Sequence, residues 1–489
     1  MWRYRPTTWS GGMFFIATKA TTRDVPIETL AVRDMLRIPL WVPACNADGY
    51  GTLIGGDDRS GAGRSPGSPL ELLVKAGERV HTGQLLARPA SGAPQWARVF
   101  APLSGVVGDC ITIESAYGFP VAALELEPGE DETEGSTAMV GPAQVTPEER
   151  LERLALLGIG FDPGGPAGAA SPPERIIIDG LESVPYATAR TRTLLEHAPD
   201  LIDAACRTAE ALGVSEVHLV ADRRLGDLVG LLRRQSRHTP IRIVPLPNKY
   251  PQCHPRLLFS AVTGHVLPPD RMPRDLAARG ESGQERCGTG IQAPAETPAG
   301  SLCHNSCHGL LGTWIIGTCA LEDIHHALTG GRPPVAQTLT VAGDAVQRPG
   351  NYRVPLGAPV AAVLQRVGLR RAPACIVLGN ALAGVAVRSA DAVIVRGVEG
   401  LYAWSSEAQP ERDPIGCLRC GFCIEVCPAG IDPVGVFNAV ELGRRAEVPL
   451  WTPQACIDCG LCDYVCPAAL PLMEAVQSAR RYVQEGQGG

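Results

Sequence analysis

The stretch Cys417-Leu-Arg-Cys-Gly-Phe-Cys-Ile-Glu-Val-Cys-Pro428 is written a second time as Cys456-Ile-Asp-Cys-Gly-Leu-Cys-Asp-Tyr-Val-Cys-Pro467. Both runs read Cys-x2-Cys-x2-Cys-x3-Cys-Pro, the spacing of bacterial two-cluster ferredoxins, in which the fourth cysteine of each run ligates the other cluster. Three closely spaced thiolates wrap one face of a cubane, and the fourth ligand crosses over, so the half-motifs interlock. This pattern assigns one [4Fe–4S] cluster to Cys417, Cys420, Cys423 and Cys466, and a second to Cys456, Cys459, Cys462 and Cys427. Zinc ribbons instead take cysteines in pairs within four-ligand sets, and the third inner cysteine and trailing Cys-Pro of both runs speak against zinc. Each proline removes a backbone donor and turns the chain away.

Around the runs the periodicity is helical. Val436, Val440 and Leu442 lie at helical spacing in Asp432–Arg445, and Leu472–Glu485 follows the second run with the same period. The expectation is an α-helical two-cluster ferredoxin domain over 410–485, not the compact β-containing type. Every iron has its cysteine, so the clusters suit electron relay rather than substrate binding. Ile415, Phe422, Ile424, Val426, Ile457, Leu461 and Val465 supply an apolar surround that limits solvent.

The rest of the 489-residue chain bounds the function. Lys and Arg number 44 against 51 Asp and Glu, a net charge of −7, which gives no electrostatic footprint for nucleic acid. The longest apolar stretch, near Leu310–Leu321, falls short of the ~18 residues that cross a bilayer. The N-terminus starts basic but lacks an apolar signal core, so export is not expected. Seventeen cysteines without export read as metal binding rather than a disulfide scaffold.

Upstream, the organisation is that of a multidomain α/β plus β protein. In region 1–123, Val74–Ala87 alternates like a strand with Gly77 and Gly83 at turns, and Ala101–Asp109 repeats the style. Two such halves resemble the barrel-sandwich hybrid of biotinyl and lipoyl domains, but Ala101-Pro-Leu-Ser-Gly105 has no lysine for a swinging arm. Segment 124–146 is acidic and reads as a solvated linker. Over 147–270, helical Glu148–Leu157 and Arg190–Leu212 alternate with apolar runs at Arg175–Asp179, Glu216–Ala221 and Ile241–Val244, predicting a Rossmann-like α/β domain with a parallel sheet. Residues 271–308 read as an insertion, 309–336 as a helical segment (Leu310–Leu328 a buried helix or strand–helix), and 337–400 as a small β-rich unit.

Several short matches, in order, accompany the ferredoxin runs: Gly11-Gly12, Pro26–Leu30, Ile38-Pro-Leu40, Val74–Val107, Lys249-Tyr-Pro-Gln252, Gly317-Thr-Cys-Ala320, and Val341–Asp344 with Pro349-Gly-Asn351. Together they resemble the C subunit of the Rnf/Rsx family of ion-translocating membrane electron-transport complexes, over most of the chain. The resemblance implies a β-grasp domain of the SLBB (soluble-ligand-binding) type at 337–400 and kinship of the α/β domain with the flavoprotein subunit of respiratory complex I. It further implies a peripheral subunit on the cytoplasmic face of the inner membrane, with integral membrane subunits as partners, relaying electrons between NADH and ferredoxin. FMN and NADH would lie at Gly158, Gly160, Gly164, Gly165, Gly180, Glu182 and Tyr186. In this sequence the glycine spacing of Leu157–Gly165 departs from the family's, and Val184 stands where the family has a second acid. A lost carboxylate removes an acceptor for cofactor hydroxyls.

An alternative therefore stands beside the NADH-linked redox subunit: a non-catalytic, cluster-bearing adaptor fed by a protein donor, with a degenerate flavin/NADH site. A sensing role for the clusters ranks third. Cys287, Cys303, Cys307 and His308 could form a metal clip, Cys45, Cys110, Cys206, Cys253, Cys319 and Cys375 read as small buried hydrophobes, and Glu322-Asp323 with His325-His326 reads as a solvated helix face.

Overall fold

The structure, a computed structural model, describes residues 11–15, 17–40, 70–90, 97–114, 120–129, 146–159, 173–265, 306–310, 312–387, 392–408 and 413–486. The central element is the strand Arg175–Asp179, whose Ile176, Ile177 and Ile178 are 2%, 0% and 0% exposed. A β-branched run buried on both faces belongs in the middle of a parallel sheet. It is flanked on one side by Glu216–Asp222 and then Ile241–Leu246, and on the other by Thr313–Gly317, all parallel to it. Ser306–Leu310 closes the second edge antiparallel. Helices Ala189–Leu212, Gly226–Gln235, Pro255–Thr263 and Thr318–Gly330 cover the sheet.

Of the two readings of Leu310–Leu328 the structure takes strand–helix, so 309–336 is not helical throughout: Thr313–Gly317 is a strand beside the central one, and only then does the helix Thr318–Gly330 begin. The run Trp314-Ile-Ile is apolar throughout, and a strand buried on both faces has the same apolar signature as a buried helix. Open α/β sheets bind ligands outside the carboxyl ends of their strands, and at the carboxyl end of the central strand lies the turn that follows Asp179.

The barrel-sandwich comprises a four-stranded sheet (Leu36–Pro39, Pro120–Pro128, Gly105–Glu114, Arg79–Val80) on a three-stranded one (Leu70–Leu72, Leu85–Pro89, Val99–Phe100). Leu36, Leu86, Val107 and Leu126 fill its interior. The expected linker 124–146 begins too early, because Leu124–Pro128 are strand residues paired to Leu36–Pro39 and Gly105–Glu114. Leu124 and Leu126 are buried between the acids Glu125 and Glu127, so strand alternation, not solvation, placed those charges.

The β-grasp sheet runs Ile27–Thr29, Gly350–Pro355, Ala336–Ala342, Gly400–Trp404, Cys375–Leu378, Val385–Ala386, with helix Val360–Val367 packed on it. Its first strand comes from the N-terminal region, so 1–123 is not confined to the barrel: Ile27 pairs with Asn351 and Thr29 with Arg353. A three-residue edge strand leaves too little pattern to name its partner.

The C-terminal domain is helical and has no strand among its described residues, 413–486. Short helices Phe422–Glu425 and Leu461–Val465 carry the cysteine runs, and Pro433–Glu441 and Leu472–Gly486 pack over them on Val436, Ala439, Val476 and Ala479. Asp432 caps the third of these through Gly435 N–H at 2.9 Å, with Pro433 in the first turn.

Candidate metal centre

The two cysteine runs adopt one conformation twice. Arg419 and Asp458, thirty-nine positions apart, both have positive φ (54° and 52°), and each donates its N–H to the sulfur two residues earlier, Cys417 and Cys456, at 3.4 Å. Gly421 and Gly460 follow, at φ 77° and 75°, and each starts a short helix. Backbone bent this tightly turns N–H groups toward sulfur, the hydrogen-bonding environment that a thiolate cluster needs.

The runs also cross over. Cys427, from the first, lines one hollow with Cys456, Cys459 and Cys462 of the second, and the remaining walls include Ile431, Ile457, Leu461, Met473 and Val476. That is the second expected ligand set. For the first set, Ile415 N–H donates to Ala468 carbonyl at 3.0 Å, bringing the chain two residues before Cys417 against the chain two residues after Cys466. Cys417 and Cys420 are exposed, Cys423 buried and Cys466 half-buried.

The hollow suits a cluster. Among the described residues no three His, Cys, Asp or Glu side chains converge as closely as one metal ion requires. Zinc holds its sulfurs at about 2.3 Å, whereas a multi-iron cluster spreads its four thiolates to the corners of a larger body. Burial pushes the Cys459 thiol up to about 12, and pushes Cys456 and Cys462 well up too. Thiolates so desolvated persist only with compensating positive charge, which iron supplies. Asp458, between two expected ligands, is ion-paired with Arg480 and 4.0 Å from Cys456 sulfur.

Three family profiles match the chain: the Nuo51 FMN-binding domain over residues 165–281, the SLBB domain over 338–374 and the 4Fe-4S dicluster domain over 409–467. The C subunit of the ion-translocating oxidoreductase complex of Rhodobacter capsulatus is 27% identical over 452 residues, 88% of this chain and 75% of that protein. Its namesake in Pseudomonas aeruginosa is 26% identical over 441 residues, 86% of this chain and 49% of that one. The C subunit of the proton-translocating ferredoxin:NAD(+) oxidoreductase complex of Clostridium ljungdahlii is 24% identical over 439 residues, 86% of this chain and 82% of that one. The chain is a divergent homologue of these C subunits. A solved NAD+-reducing [NiFe]-hydrogenase overlays at a TM-score of 0.43 and 13% identity, over 68% of this chain and 63% of that one, a likeness too remote to bear on function.

The flavin candidates of this C-subunit homologue fare unevenly. Gly160, Gly164 and Gly165 lie outside the described residues, as do Cys287 and Cys303 of the expected metal clip. Gly158 faces the barrel: its carbonyl accepts from Arg396 at 2.7 Å, and a Cβ there would meet the Phe100 ring at 3.1 Å. Gly180 sits between Leu194 and Val220 carbonyl with no room for a Cβ, so it serves helix–sheet packing.

Glu182 and Tyr186 lie on the turn that follows the central strand, and there the protein places a cation of its own. Lys19 donates to the carbonyls of Glu182, Val184 (2.9 Å) and Ala187 (2.7 Å). The residue as a whole is half-buried, but its ammonium is inside, and desolvation brings it down to about 8. The Glu182 carboxylate accepts Arg190 N–H at 2.7 Å, while the Arg190 guanidinium pairs with Asp179 and Glu399, all of them buried. Burial raises all three carboxylates above their ordinary range. Tyr186 takes φ 66° and sets its ring 4.8 Å from that of Trp404.

Sequence reasoning did not find Lys19 or Tyr250 as site residues. Tyr250, fully buried, donates its hydroxyl to Cys459 carbonyl at 2.6 Å and accepts from Asn380 at 3.0 Å. Its Lys249-Tyr-Pro-Gln252 setting was the available signal. Of the cysteines read as buried, Cys253 and Cys319 are, and Cys253 exchanges hydrogen bonds with Ser183 at 3.2 Å; Cys206 and Cys375 are half-buried, Cys110 is exposed at the irregularity of its strand after Val107, and Cys45 lies outside the described residues. The reading of Glu322-Asp323 as solvated is revised: both are buried, paired with Arg353 at 2.7 Å and Arg396 at 3.1 Å.

Proposed function

We propose that the chain is the electron-transfer C subunit of an Rnf-type ion-translocating oxidoreductase complex, relaying electrons through two [4Fe–4S] clusters. Cys417, Cys420, Cys423 and Cys466 hold one; Cys456, Cys459, Cys462 and Cys427 hold the other. The observation that carries this reading is the convergence of Cys427 with the three inner cysteines of the second run on one apolar hollow. When bound, such clusters supply one-electron carriers. The chain's part is to orient the sulfurs, exclude water at the buried site, and present the other at the surface. Leu418 and Phe422, 58% and 50% exposed beside Cys417 and Cys420, offer a contact for a redox partner.

No helix among the described residues is long and apolar enough to cross a membrane. In this reading the spanning part belongs to partner subunits, and the chain sits peripherally on the cytoplasmic face of the inner membrane. The electron donor is NADH acting through FMN in the α/β domain, which the Nuo51 profile match supports. The competing reading, an adaptor fed by a protein donor, draws support from Lys19 bonding the carbonyls of the turn at the carboxyl end of the central strand.

Anaerobic purification followed by iron, sulfide and released-flavin measurement tests this. About eight irons per chain with stoichiometric flavin, and cluster reduction by NADH, is the expected result for an NADH-linked subunit. Eight irons without flavin would favour the adaptor. Zinc in place of iron would refute both.

A further inference from the structure

We propose that the segments Gly11–Phe15 and Ala17–Lys19 form a positioning strap that holds the buried cluster site against the turn Asp179–Ala187, and so sets the geometry by which electrons reach that site. This rests on the electron-relay reading above.

The strap touches the cysteine site at one end and the turn at the other. Gly12 N–H donates to Val426 carbonyl at 2.8 Å, one residue before the ligand Cys427. Gly11 has φ 81°, and a Cβ there would lie 2.6 Å from Cys427 carbonyl oxygen and 2.9 Å from that of Val426. Met13 and Tyr250 exchange backbone hydrogen bonds at 3.0 and 2.8 Å, and it is Tyr250 whose hydroxyl reaches Cys459. The Phe15 ring packs edge-on against Tyr250 and against Tyr464, which lies between Cys462 and Cys466. Thr18 hydroxyl accepts Tyr186 N–H at 3.3 Å, and Lys19 closes the other end on three carbonyls of the turn.

The chemistry argues for positioning over packing. Burying an ammonium is costly unless it is well bonded, and an apolar side chain would fill the same space without that cost. An ammonium directed at three carbonyls fixes the turn in one conformation. At the other end the contact with the Cys427 loop is backbone against backbone, with no side chain to yield, and the Cys459 loop is reached through the Tyr250 hydroxyl, so a displacement of the strap is passed to both ligand loops.

The test uses the full chain, purified anaerobically, with Gly11→Val, Tyr250→Phe and Lys19→Met, and with Cys459→Ser to mark the buried cluster's spectrum. In Gly11→Val the paramagnetic signal absent from Cys459→Ser should be lost or altered while the other signal keeps its shape and potential. Tyr250→Phe, which removes one hydrogen bond and little volume, should retain both clusters and shift the potential of the same one. Lys19→Met should speed amide exchange at least tenfold at Tyr186 and also at Gly12, the far end of the strap. Unchanged spectra in both Gly11→Val and Tyr250→Phe, equal damage to both clusters, or exchange confined to the turn would each overturn the strap. A wild-type chain without iron would refute the relay reading itself, whereas two intact clusters with indifferent variants would refute the strap alone.

Discussion

Asp458 is the residue whose charge bears most directly on a cluster. It lies between the proposed ligands Cys456 and Cys459, is 2% exposed, and is held by Arg480. Its carboxylate opposes the arrival of an electron nearby, and Arg480 favours it. Asp458→Asn leaves the guanidinium uncompensated beside Cys456 sulfur, so the midpoint potential of the buried cluster should rise, and Arg480→Leu should lower it. Redox titration followed by paramagnetic resonance checks both signs. An unmoved potential in Asp458→Asn would mean that Asp458 is already protonated, the direction in which burial pushes it. The cysteines were legible because thiolate ligands must recur at fixed spacing. Lys19 was not, because a lone lysine in a loop carries no spacing, and its three partners are backbone carbonyls more than 160 residues away.

At the level of elements, Thr313–Gly317 is the piece whose placement matters most. As a strand beside the sheet's centre it holds Ile316 at 1% exposure among core side chains. Ile316→Ala should therefore cost about 2–5 kcal/mol of stability. Denaturant unfolding followed by α/β-domain signals checks this, and a loss below about 1 kcal/mol would return the segment to the periphery. Amphipathic helices were readable because one face is wet: Ala189–Leu212 and Leu472–Gly486 begin and end within a residue of where periodicity puts them. A strand with no wet face offers no such contrast. The pairing of Ile27–Thr29 with Gly350–Pro355 joins residues more than 320 positions apart, and nothing local to either strand specifies the other.

The molecule as a whole treats its two cluster sites unequally. Cys456, Cys459 and Cys462 are buried, and Tyr250, Leu382 and Phe15 pack around them, whereas Cys417 and Cys420 face solvent. Exposure to air should therefore remove iron in two phases, the faster from the Cys417 site, and Cys417→Ser should abolish the fast phase and spare the slow one. Iron release against time, with resonance spectra at each phase, checks the order; one phase for both clusters would mean that burial confers no protection.

The crossing of Cys427 into the hollow of the second run has a consequence for biosynthesis. A ribosome makes Cys427 before any of the three cysteines that share its hollow, at ~5–20 residues per second, so its thiol must wait, reduced and unligated, until the second run has emerged. Cluster delivery at this site then follows synthesis of the second run, and a nascent chain halted between the runs presents the delivery machinery with an incomplete set of ligands.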